Sequence, residues 1–231
     1  SQARLTIVCV IDTPQCEEVL FGPRGVVQGA VQGVVRGVAA SGSQHTVMLC
    51  PTISPQDVES FARRLGERGI ATIDAPMSGG PQRAADGTMS LMVACPAALY
   101  DTHRALIEAL SGQVFRISER PGDGARTKLV NNLLAGINLV GAAEALALAQ
   151  QLGLDLAVSL DVIERSSGQS WIGTDRMRRA LAGDFAPRAH VTLLEKDTGL
   201  AMAAARAAGF EGPLGAAAHD TFRRTHALGH A

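Results

Sequence analysis

The chain has 231 residues and a formal net charge of −1, with 46% hydrophobic and 19% charged residues. That length holds one large domain or two small ones, and the composition excludes a disordered or solvating chain. The balanced charge leaves no electrostatic footprint for nucleic acid or an anionic membrane surface.

The first half alternates strand and helix signals. Leu5–Ile11 is a continuous β-branched run of the kind a buried parallel strand needs. A short helix is expected over Pro14–Leu20, then a long glycine-containing stretch. Gly25, Gly29, Gly33 and Gly37 recur every four residues, but four glycines in one short helix would each cost about 1 kcal/mol relative to alanine, so a loop is expected. Thr46–Cys50 reads as the second strand. Ser54 followed by Pro55 fits an N-cap with proline at the first helical position, and the helix over Gln56–Arg68 stops at Gly69. Further strands are expected at Ile70–Ala75, Ser90–Ala94 and Val114–Ile117, with a helix over Pro96–Leu110. This alternation predicts an α/β layer with parallel strands.

After Pro121 the character changes. Residues 128–152 form one long helical stretch, apolar nearly all round. A membrane span is the rival reading by length. Asn131, Asn132, Asn138 and Glu144 inside it count against that, because polar groups in hydrocarbon are costly. A central helix wrapped by others is expected. Leu156–Glu164, Trp171–Ala182, Val191–Ala208 and Gly215–Ala227 read as further helices. The expected domains are therefore 1–120, α/β, and 121–231, all-helical.

The cations are unbalanced: 19 arginines but only two lysines, Lys128 and Lys196. Guanidinium does not deprotonate in proteins, whereas an ammonium can be tuned by its surroundings, so the two lysines are candidates for proton chemistry. The four cysteines, Cys9, Cys16, Cys50 and Cys95, form no C-x-x-C pair and have no histidine at ligand spacing. No metal site is expected; they read as small hydrophobes in a reducing, cytoplasmic setting. The chain opens directly on a strand with no signal-peptide pattern.

Three clusters carry chemistry. In Gly122-Asp-Gly-Ala-Arg-Thr-Lys128-Leu-Val-Asn131-Asn132, two glycines make the turn that opens the long helix. Lys128 then lies near the positive end of the helix dipole, which disfavours a charged ammonium. Asn132 is one turn on, on the same face. An adjustable amine beside a hydrogen-bonding amide suits general acid/base catalysis with a substrate anchor. A P-loop is excluded, because Thr127 rather than glycine precedes the lysine. In Asp74-Ala-Pro-Met-Ser78-Gly79-Gly80, a serine and two glycines follow a strand end, where ligands bind in open α/β sheets. Their backbone amides can cradle a carboxylate. The alternative is an ordinary glycine-rich turn. Lys196-Asp197 inside a helix reads as a surface charge pair.

DAPMSGGPQRAADGTMSLMVAC, GDGARTKLVNNLL and EKDTGLA, in this order and at these separations, resemble the β-hydroxyacid dehydrogenases, and the resemblance covers nearly the whole chain. It implies a partial Rossmann-type parallel sheet followed by an all-α domain like the C-terminal part of 6-phosphogluconate dehydrogenase, with a long central helix. It implies Lys128 as the catalytic acid/base. Ser78, Gly79 and Gly80 would hold the substrate carboxylate, Asn132 would hydrogen-bond the substrate and Asn131 support the site. Val10, Ile11, Thr52 and Lys196 match positions that contact NAD or NADP. Small hydroxy acids and a homodimer or homotetramer follow from the same resemblance. Arg188 and His190 look most like the threonate dehydrogenase branch. An imine-reductase-like reading is disfavoured because a lysine occupies the proton-donor position.

One motif of the resemblance is missing. No G-x-G-x-x-G is present, and the chain begins where the family's fourth strand is expected. The nicotinamide side of the sheet, the substrate loop and the helical domain remain. The rival expectation is a truncated, non-catalytic acid-binding or assembly module.

Overall fold

The computed structural model describes residues 3–29, 45–186 and 189–230, and the chain divides into two compact units, Ser1–Leu129 and Val130–Ala231. The first unit is built on one sheet of β1 (Leu5–Val8), β2 (Thr46–Leu49), β3 (Ala71–Asp74), β4 (Met77–Ser78), β5 (Ser90–Ala94) and β6 (Gln113–Ser118). Its order is β1-β2-β3-β5-β4, with β6 also paired to β5. The first strand stops at Val8, short of the expected Ile11.

The expected parallel pairing holds for β1-β2, β2-β3 and β5-β6. It fails at β5, which runs antiparallel to β3 and β4. The cause is local. A parallel return needs a crossover long enough to span the sheet. Between β3 and β5 the chain makes only the two-residue β4 and a six-residue helix. Neither was anticipated; Ser78-Gly79-Gly80 is the end of a strand and the start of a helix rather than a plain turn.

Helices α1 (Thr13–Phe21), α2 (Pro55–Gly66), α3 (Gly80–Ala85) and α4 (Ala97–Leu110) complete the layer. The sheet is covered on both faces, as its apolar strands require. Alternate residues of β2 serve opposite cores: Val47 and Leu49 pack with Leu20, Val58, Phe61 and Leu65, while Met48 packs with Ile73, Leu91, Tyr100 and Ile107. On α2 the buried Val58, Phe61 and Leu65 fall at helical spacing, and Ser54 caps the start by accepting the Asp57 amide.

Helix α5 (Asp123–Gln151) runs through the division between the units. In the second unit its later turns accompany α6 (Leu156–Glu164), α7 (Trp171–Leu181), α8 (Val191–Ala207) and α9 (Pro213–Ala227). Gly136 allows close approach: a Cβ there would lie 2.9 Å from the Thr198 methyl carbon and 3.3 Å from the Phe222 ring. The helix is not enclosed as expected, since Val130, Leu134 and Leu148 are 71%, 58% and 60% exposed. It is long and apolar enough to cross a membrane by length and composition. In the glycine repeat, residues 26–29 are helical rather than looped. Gly33 and Gly37 lie outside the described residues, as does Arg188.

Leu91 is fully buried between β5 and the helices that cover it. Leu91→Ala is expected to destabilise the chain by about 2–5 kcal/mol, the cost of lost transfer energy plus a cavity. Denaturant unfolding monitored by circular dichroism checks this as a lower midpoint at unchanged slope.

Candidate active site

The first turn of α5 is anchored to the end of β3 by one carboxylate. Asp74 Oδ2 accepts the amide of Gly122 at 2.8 Å and that of Ala125 at 3.1 Å. The Gly124 amide also hydrogen-bonds to it. These donors are among the backbone groups that a helix start leaves unpaired. Gly122 has φ +98°, a conformation that favours glycine. Gly124 is needed for a different reason: a Cβ there would come within 2.7 Å of the Met92 carbonyl and 2.9 Å of the Asp74 carboxylate.

Asp74 is 1% exposed. Burial pushes its carboxyl up to about 6, outweighing the backbone amides that favour the anion. Asp123, one residue into the helix, goes the other way. The Ser118 hydroxyl, then Arg120 and Arg126, hold its carboxyl below the usual range. The Ser118 bond is 2.7 Å and the Arg126 bond 2.9 Å.

Lys128 follows three residues after Ala125 and is only 7% exposed. On the strand side, Asp74 is followed by Ser78, half-buried and paired with Ser90 across β4 and β5. Gly79 (φ +140°) and Gly80 (φ +71°) both take conformations that favour glycine. A Cβ on Gly79 would meet Arg83 Cβ at 2.8 Å. The Ser78-Gly79-Gly80 turn and the Lys128 turn are thus tied through a single buried residue.

Two further anchors lie at the ends of β1 and β2. Thr13 and Ser54 hydroxyls both donate to Asp57 Oδ2, at 2.8 and 2.7 Å. This joins the starts of α1 and α2, the loops that carry Val10, Ile11 and Thr52. Ile11 is 53% exposed, while Val10 and Thr52 are half-buried.

In the second unit, Asn132 Nδ2 donates to Asp197 Oδ2 at 2.6 Å. Lys196 Nζ pairs with Asp197 Oδ1 at 2.8 Å, with only 17% of the Asp197 side chain exposed. The pair expected on the surface is therefore partly buried and bound to a predicted site residue. Asn131 donates to Asn132 Oδ1 at 3.1 Å. Both groups of the Asn132 amide are thus engaged, though its oxygen can accept a second bond and its nitrogen can donate a second. His190 is an exposed helix-start residue without a side-chain cap bond.

Known proteins resemble both parts of the chain. Residues 1–118 match the family model for the NAD binding domain of 6-phosphogluconate dehydrogenase. Residues 122–231 match that for NAD-binding of NADP-dependent 3-hydroxyisobutyrate dehydrogenase. The chain is 36% identical to the L-threonate dehydrogenase of Cupriavidus necator over 230 residues, covering all of this chain and 74% of that protein. The chain belongs to the β-hydroxyacid dehydrogenase family. Among solved structures, 3-hydroxyisobutyrate dehydrogenase from Salmonella typhimurium is 33% identical with a TM-score of 0.86. It covers 99% of this chain and 76% of that one. The Mycobacterium tuberculosis 3-hydroxyisobutyrate dehydrogenase is 28% identical with a TM-score of 0.78, at 99% and 76% coverage. Family members are NAD- or NADP-dependent dehydrogenases with a parallel-dominated sheet followed by a helical domain, as here.

Asp74 and Asp197 stand in the sequence motifs without a part in the expected site, and Asp57 stands in none of those motifs. Asp74 carried a legible signal, a carboxylate at the end of a buried strand directly before a glycine-rich turn. Asp57 and Asp197 carried none that a helical surface acid lacks.

Two outcomes are expected. Gly124→Ala should cost about 1–3 kcal/mol, because the contacts it meets are a backbone carbonyl and a buried carboxylate. Chemical denaturation measures this directly. The Asp74 carboxyl stands above its ordinary value of 3.8 in the folded chain. Between about pH 4 and pH 6 the folded state therefore holds a proton that the unfolded state has released. Stability should fall across that window as pH rises, by at most about 3 kcal/mol, and then level off. In Asp74→Asn this fall should vanish from the thermal-unfolding profile.

Proposed function

We propose that the chain carries the hydride- and proton-transfer part of an oxidoreductase that uses NAD or NADP. It would interconvert a small β-hydroxy acid of the threonate, 3-hydroxyisobutyrate or glycerate type with its oxo acid or semialdehyde. The observation that carries this reading is a buried lysine, Lys128, on a helix start bonded to the strand that leads into Ser78-Gly79-Gly80. In a chain otherwise supplied with arginine, this is one of only two lysines, and arginine cannot exchange a proton at neutral pH.

The residues fit the nicotinamide end of the cofactor. Ile11 offers exposed apolar surface at the end of β1, with Val10 beside it in sequence. Thr52 adds a hydroxyl beyond β2, and Asp57 links the two loops. The family resemblance adds Lys196, on α8, as a further cofactor contact. No G-x-G-x-x-G stands in the sequence to receive the pyrophosphate. When bound there, the cofactor would supply the hydride chemistry at the carbinol carbon of the substrate. Lys128 accepts the hydroxyl proton in oxidation and gives it back to the carbonyl oxygen in reduction. Ser78 Oγ and the Gly79 and Gly80 amides orient the carboxylate. Asn132 holds the hydroxyl or its neighbour, steadied by Asp197 and Asn131.

The threonate type is supported by the name of the Cupriavidus necator relative. A homodimer or homotetramer is supported by the exposed apolar side chains Val130, Leu134, Val158, Val162 and Trp171 on the helical unit. A reducing, cytoplasmic setting fits Cys16, Cys50 and Cys95 serving as small buried hydrophobes of the core.

Lys128→Ala is expected to lower kcat for hydroxy-acid oxidation by about 10²-fold or more, with the NAD(P)H Kd essentially unchanged. Turnover near that of the unmodified chain sinks the assignment. The rival reading, a non-catalytic acid-binding or assembly module, predicts oligomers by light scattering but no NAD(P)H binding by fluorescence titration.

A further inference from the structure

We infer that Asp74 is a positioning residue for Lys128, its buried carboxylate fixing the first turn of α5 to the end of β3 and so setting where the amine stands. This rests on the reading of Lys128 as the proton-transfer group. The geometry is specific. One oxygen, Oδ2, takes the amides of Gly122 and Ala125 at 2.8 and 3.1 Å. Lys128 follows within one helical turn, where a shift of the anchor is passed on rigidly. Gly124 leaves no side chain between the helix and the strand, and any Cβ there would strike the carboxylate at 2.9 Å. Four residues beyond Asp74 stands Ser78, so one side chain references both halves of the proposed proton and carboxylate site to the same strand.

The groups facing Asp74 make its state readable. Cys50 comes from the end of β2, and burial pushes its thiol up to about 12. Cys95 follows β5, and burial pushes its thiol up to about 11. Asp123, on α5, is held below the usual carboxylate range by Ser118 and two arginines. Glu59, on α2, pairs with Arg126 at 2.5 Å. Neither thiol nor Asp123 changes charge between pH 5 and 7, the interval in which Asp74 does.

The scarcity of lysine supplies the probe. Chain labelled with [13Cε]lysine gives two side-chain resonances, from Lys128 and Lys196. The expected result is a step in the Lys128 signal near pH 6, with the same midpoint as the Gly122 and Ala125 amide shifts. Lys196 should show no such step. Asp74→Asn keeps the shape but removes the titrating carboxyl, so it should abolish the step. Gly124→Ala, which forces the carboxylate from the turn, should move the Lys128 resonance at neutral pH and leave Lys196 unmoved. A Lys128 signal flat from pH 5 to 7 overturns the proposal. So does a step that persists in Asp74→Asn, a Lys128 midpoint different from that of the two amides, or an unmoved Lys128 in Gly124→Ala. The amide comparison needs only the unmodified chain, so it decides the matter even where a variant does not fold. None of these readouts requires turnover. Failure of the catalytic reading would appear separately, in the Lys128→Ala kinetics.

Discussion

A helix start leaves its first amides without partners, and at α5 that debt falls in a dry interior. The Asp74 carboxylate meets it, accepting the Gly122 and Ala125 amides at 2.8 and 3.1 Å and the Gly124 amide as well. Much else follows from this contact. Gly122 must turn with positive φ to bring the amides round, Gly124 must lack a side chain, and β3 must end where the helix begins. The pairing works in both directions. An ionised carboxylate in the interior is unfavourable without donors, and the positive end of a long helix is the donor set that tolerates it best.

The same economy appears in the second unit. Asp197 receives Asn132 on one oxygen and Lys196 on the other. In each unit, then, a residue that the family resemblance assigns to chemistry is held by an aspartate that is not itself assigned a reacting part. The aspartate of the first unit is bound by backbone amides, and that of the second by an asparagine amide and a lysine, so each helps to orient its neighbours.

Much of this was legible in the sequence. The longer helices, the strands at Thr46, Ile70 and Ser90, and the change of character near Pro121 follow from period and caps, which are local signals. Lys128, Ser78 and Asn132 stood out because residue type and motif spacing coincide. The antiparallel return of β5 was not legible, because it depends on a six-residue helix and a two-residue strand with no periodicity to read. The bond from Asp74 to Gly122 spans 48 positions, and no local pattern announces such a meeting. The long helix was legible in place and length, but its exposure was not, for a similar reason. Apolar composition signals that a face will leave water, but not whether the cover comes from the same chain.

The carboxylate of Asp57 has a consequence of its own. By receiving both Thr13 and Ser54 on one oxygen, it makes the loops after β1 and β2 a single stiff rim. Their conformational freedom is surrendered during folding rather than at the moment of docking. A flat partner arriving at this rim meets a preorganised surface and loses little affinity to loop ordering. It also has little means of reshaping the rim, so selectivity there resides in side-chain identity rather than in adaptation.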